Sequence, residues 1–147
     1  MLRPMAISAL VVDSLSNSPI VILKEIDGER TLPIWIGQLE ATAIASILQG
    51  IKFPRPMTHD LFKNIIDLIN AKIKKVEICD LKDSILYALI YINHNGKEIS
   101  LDARPTDALA LALRVNAPIF VVEEVIQKAK QVVLKRNREH KSTEKKN

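Results

Sequence analysis

The chain holds one cysteine, three histidines, four glycines and six aromatic residues among its 147 positions. A single thiol, Cys79, excludes an internal disulfide, and with no second cysteine or Cys/His cluster nearby there is no structural zinc motif. So few glycines leave no glycine-rich phosphate loop, and no nucleophile elbow is present either. Apolar runs are all too short to cross a bilayer, so no membrane partner is expected. The opening MLRPMAISALVVDS only mimics a secretory signal: Asp13 interrupts it, and its alternation suits a strand. A reducing cytoplasm is the expected setting.

What is present is a core. Nearly half of the residues, 48%, are hydrophobic, which suits one folded domain of this length and excludes general disorder. The net charge of +4 hints at nucleic acid until it is located. Residues 128–147 carry eight Lys or Arg against two Asp or Glu, +6 in all, which leaves −2 for residues 1–127. The basicity belongs to the C-terminal end. Its expected form is a solvated, flexible tail over 135–147 behind a domain over 1–134, rather than a nucleic-acid-binding arm.

Periodicity shows one arrangement twice. Ile7–Asp13 and Ile20–Ile26 are β-rich runs, and Asp27-Gly28 turns the second into Thr31–Ile36. Val76–Asp80 and Ile85–Ile92 follow the same plan, with Asn95-Gly96 turning into Lys97–Asp102. Both dipeptides supply the positive φ that tight hairpins need. Each third strand then enters a helix, with Glu40-Ala41-x-Ala43-Ile44-Ala45 matching Asp107-Ala108-x-Ala110-Leu111-Ala112 at an offset of 67. Asp13 to Asp80 repeats that offset, and Gly28 to Gly96 differs from it by one residue. The expectation is an α+β domain built from a duplicated strand–hairpin–helix unit. Its two central helices, about 39–49 and 106–115, are apolar all round, so they should be buried and packed against β-sheets. A further amphipathic helix opens at Thr58, a good N-cap, and another begins near Glu123 and loses its apolar stripe after Leu134.

Three segments, "LPIWIGQLEATAIASILQG", "PRPMTHDLF" and "DARPTDALALALRVNAPIFV", resemble the signature segments of the bifunctional nuclease domain family, in its order and spacing. The resemblance covers about residues 5–128. The chain departs from the family pattern at Ser84, where a glycine is usual, and at Ala103, where a serine is usual. The resemblance implies an α+β domain and cleavage of DNA and RNA, hence nucleic acid as a partner. It supplies no agreed catalytic constellation.

The polar residues at the segment junctions are the site candidates. Phosphodiester hydrolysis needs an activated water, charge stabilisation on the phosphate and help for the leaving oxygen; carboxylates holding Mg²⁺ or Mn²⁺ can supply all three. Glu40, Asp60, Asp102 and Asp107 are the expected metal ligands, and no organic cofactor is expected. His59, the histidine inside a signature segment, is the acid–base candidate, with Glu40 and Asp107 beside it. Arg55 and Arg104, each held by a following proline, are the phosphate-binding candidates. The competing reading gives these side chains structural work: acidic residues favour a helix's first turn, Thr58 and Thr106 read as caps, and Arg104 should reach Asp102, Asp107 or Glu40. Tyr87 and Tyr91 share a strand face and are expected to pack, and Trp35 to sit in the core. The rival function is a non-catalytic module that binds a small ligand or a protein. Sheet edges left by so many strands lead to the expectation of a homodimer.

Overall fold

The structure, a computed structural model, describes residues 1–145. Strands β1 (Leu2–Val12), β2 (Pro19–Glu25) and β3 (Thr31–Trp35) form an antiparallel meander that runs into helix α1 (Gln38–Leu48). Helix α2 (Thr58–Leu68) follows, then a second meander, β4 (Lys72–Lys82), β5 (Ile85–His94) and β6 (Lys97–Ala103), which runs into α3 (Pro105–Val115). Strand β7 (Ile119–Val122) and the long α4 (Glu123–Lys145) complete the chain.

All seven strands join one sheet in the order β3-β2-β1-β7-β4-β5-β6. Strand β7 is the seam between the meanders, antiparallel to β1 and parallel to β4. The expectation of several sheets is therefore corrected to a single one. A short apolar strand, Ile119–Val122, has no pairing pattern of its own, and its insertion between β1 and β4 is a tertiary event.

Alternation explains which face is covered. Val21, Leu23, Val76, Ile78, Ala88 and Ile90 are buried and share one core with Ile44 of α1, Ile66 of α2, Val125 and Ile126 of α4 and the consecutive Ala108–Ala112 of α3. Five successive buried residues mean that α3 is enclosed on every side, as its lack of a polar face predicts. Helix α1 packs against α3 and β2, while α3 also lies across β4 and β5.

The two hairpin dipeptides behave differently. Asn95 and Gly96 take φ of 53° and 77°, a two-residue turn closed by the pair His94–Lys97. Gly28 has no such angle, and the loop from Ile26 to Arg30 is longer than a tight turn. A Cβ there would displace the Glu25 carboxylate from the place where it accepts the Arg30 N–H. The caps also differ from expectation. Met57 and Arg104, not Thr58 and Thr106, occupy the N-cap positions, and the threonines lie inside the first turns. Finally, α4 continues without a break past Leu134 to Lys145. Lys, Arg and Glu propagate a helix well once its first turns are docked, here by Val125 and Ile126, so a polar composition does not end it.

Candidate functional site

The first turns of three helices meet. Arg104 precedes Pro105 and is held extended, with φ of −68° and ψ of 145°, so its side chain folds over the start of α3 instead of continuing the helix. Its Nε donates to Asp107 Oδ2 at 2.9 Å, its Nη2 to Asp107 Oδ1 at 3.2 Å and its Nη1 to Glu40 Oε1 at 3.2 Å. Asp107 lies in the first turn of α3 and Glu40 in that of α1, where the exposed N–H groups favour negative charge. His59, second residue of α2, places Nε2 at 2.9 Å from Asp107 Oδ1. The result is one chain of polar contacts, Glu40–Arg104–Asp107–His59.

Its electrostatics follow from that order. Partial burial of Asp107 raises its carboxyl pKa, but the bonds from Arg104 and His59 outweigh this, and the net shift is downward. The same contact with Asp107, with Glu40 behind it, raises the Arg104 pKa, so the guanidinium stays charged. Two-thirds of the Arg104 side chain faces solvent, whereas His59 is 17% exposed. Three of the five guanidinium N–H groups are engaged, which leaves two for an incoming acceptor.

Glu40 and Arg104 line a cleft of about 680 Å³ whose other walls include Leu32, Trp35, Leu86 and Thr106. Asp107 and His59 are not among its lining residues and lie further along the polar chain. Gly37, N-cap of α1, also lines the cleft. A Cβ on it would strike the Glu40 carboxylate, so the missing side chain is what lets Glu40 fold back over its own helix start. Trp35 is part-exposed at the cleft instead of sitting in the core, with its Nε1–H donated to Asp13 at 3.0 Å.

The other candidates lie elsewhere. Asp60 caps α2 through the Met57 N–H at 3.0 Å and accepts from Arg114 Nε at 2.8 Å. Chiefly the Arg114 bond, with the Met57 N–H second, lowers its pKa. Asp102 pairs with Leu89 across β5 and β6 and points to the sheet face away from α3, since its neighbour Ala103 pairs with buried Ala88. Arg55 is exposed in the bend before α2 and makes no ion pair among the described residues. Tyr87 and Tyr91 lie on the uncovered face with Lys82 and Lys75 over their rings.

A divalent metal does not fit this donor set. Among the described residues no three His, Cys, Asp or Glu side chains converge on one point. Arg104 occupies the position between Glu40 and Asp107 that a bridging cation would take, and Asp60 and Asp102 are not brought to it. The sequence reading missed Arg114. Its side chain is 4% exposed and joins Asp60 of α2 to the backbone carbonyl of Ala43 in α1, fixing how α2 presents His59. The signal was present in the sequence, as one cation inside an otherwise apolar helix.

The chain is similar to known proteins over most of its length. Residues 21–134 match the profile of the bifunctional nuclease domain. An uncharacterized protein of Mycobacterium tuberculosis is 45% identical over 118 residues, covering 80% of this chain and 70% of its own length. Bifunctional nuclease 1 of Oryza sativa subsp. japonica is 29% identical over 112 residues, 74% of this chain but 34% of that protein. Bifunctional nuclease 2 of Arabidopsis thaliana is 25% identical over 105 residues, 69% of this chain and 32% of its own. The chain thus spans about a third of each plant relative's length.

Proposed function

The chain belongs to the bifunctional nuclease domain family, and from that premise we propose that it hydrolyses phosphodiester bonds in DNA and RNA at the Glu40–Arg104–Asp107–His59 chain. The observation that carries the reading is the carboxylate shared by a histidine and an exposed arginine. With Nε2–H donated to Asp107, the His59 Nδ1 holds a lone pair and makes no hydrogen bond among the described residues, the arrangement of a general base for a water molecule. The two unused N–H groups of Arg104 suit a phosphoryl oxygen and its developing charge. Glu40 holds the guanidinium from the other side. In this reading the positive charge beside the phosphate comes from Arg104, bonded to both carboxylates.

The test is cleavage of supercoiled DNA and of RNA by purified protein, with and without EDTA. His59→Gln is expected to lose roughly 10²–10⁴-fold in rate at an unchanged melting temperature. Arg104→Gln should lose cleavage on both substrates, and Asp107→Asn should lose it with a modest loss of stability. Cleavage that persists in all three variants would overturn this site. A second reading has one observation in its favour: the cleft walls are mainly apolar, with Arg104 the one cation among the described lining residues. A small-ligand module predicts intact folding and no cleavage by the parent protein under any condition.

A further inference from the structure

Strand β6 ends the sheet, and six of its seven residues are exposed. The two-residue turn at Asn95-Gly96 makes His94–Lys97 a hydrogen-bonded pair, and antiparallel bonding alternates from there. Lys97, Ile99, Leu101 and Ala103 therefore direct their backbone groups toward β5. Glu98, Ser100 and Asp102 direct theirs outward, to the open edge. On the side-chain faces, Ile99 and Leu101 lie beside buried Ile92 and Ile90 at the margin of the core, 42% and 40% exposed, beyond the reach of the α3 cover. An edge with unpaired donors and acceptors beside an apolar margin is a template for another strand.

We infer that β6 pairs antiparallel with β6 of a second copy, Leu101 opposite Leu101 across the two-fold axis, so that two seven-stranded sheets become one. The side chains choose the register. Centring the axis on Ser100 sets Glu98 against Asp102, two like charges directly opposed. Centring it on Ile99 sets Lys97 against Leu101 on the apolar side. Centring it on Leu101 opposes Ser100 to Asp102, a donor to an acceptor, and Ile99 to Ala103, apolar on apolar. The outward backbone groups of Ser100 and Asp102 then bond across the axis, and Leu101 forms the close, non-hydrogen-bonded pair. The pairing is isologous, each copy giving and receiving the same contacts. It stands independently of the nuclease reading.

Light scattering of the full chain at micromolar concentration should give twice 16.5 kDa. Ser100→Pro removes an outward N–H without removing a bond to β5, and should return the mass to that of one chain. A crosslink fixes the register. In a Cys79→Ser background, Leu101→Cys places two thiols on a pair about 4.5 Å apart between Cα atoms, within disulfide range, and mild oxidation should join the copies. Ile99→Cys should crosslink far less. A monomer mass for the parent protein overturns the inference, and so does a dimer that survives Ser100→Pro. Preferential crosslinking at Ile99 overturns it as well. If Ser100→Pro does not fold, the two cysteine variants decide alone.

Discussion

Ser84 shows what one residue can store. It follows Asp83 in the two-residue turn between β4 and β5, and both take positive φ, 50° and 66°. A serine in the left-handed region costs about 1–2 kcal/mol relative to a residue without a Cβ. Ser84→Gly is therefore expected to raise the melting temperature by a few degrees, measured by calorimetry, although the added chain entropy of glycine offsets part of the gain. The same scale shows how far the site could be read from the sequence. Glu40, His59, Arg104 and Asp107 were legible as residue types at helix starts, because macrodipoles and prolines leave local marks. That His59 would take Asp107, 48 positions away, was not legible, since it depends on how α2 lies on α3. Asp60 and Asp102 looked equivalent to the others in the sequence. A cap bond took the first, and strand alternation turned the second to the opposite face.

At the scale of elements, the meanders and their helices were legible from alternation and from the Asn-Gly turn. The single sheet was not: Ile119–Val122 is legible as a short buried strand, but its insertion between β1 and β4 is not. Helix α2 illustrates why packing, not propensity, sets a site. Only Ile66 of α2 is fully buried, so its position rests heavily on polar ties at its N-terminal end. Arg114 is the main one, reaching Asp60, the Ala43 carbonyl and the Ala110 carbonyl. Arg114→Ala leaves these acceptors without their cation and is expected to cost about 1–3 kcal/mol in urea unfolding. It should also loosen His59, so cleavage should fall more steeply than stability, and Arg114→Lys should restore only part of either.

Across the whole molecule, a four-membered cluster ties the far ends of the chain. Arg30 donates from both Nη atoms to Glu123 at the start of α4, at 2.7 and 2.6 Å, and from Nε to Glu25 of β2 at 2.8 Å. Arg3 of β1 approaches the same Glu25 oxygen at 3.4 Å. Bonding to Arg30 is the largest cause lowering the pKa of both Glu25 and Glu123, and Asp60 and Asp107 are lowered as well. A carboxylate depressed in the folded state stabilises the protein above its unfolded pKa, and that stability is lost as pH falls through the folded value. Urea midpoints should be flat from neutrality down to about pH 4, the ordinary carboxylate range, and should decline steadily below it. A midpoint that rose on acidification would contradict the cluster.

Pro33 bears on how large an assembly can grow. Glu25 N–H bonds to Arg30 C=O and Ile36 N–H to Pro19 C=O, so alternation puts Pro33 at a non-bonded position opposite Ile22, its ring nitrogen facing away from β2. Proline costs the sheet nothing internally there, and it removes the donor a new strand would need. A sheet that could add copies at both ends would polymerise without limit, whereas one with a single receptive end stops after one addition. Pro33→Thr should restore growth at the blocked end, seen as fibrous or high-mass species that bind amyloid dyes, while the parent chain stays finite and soluble at equal concentration.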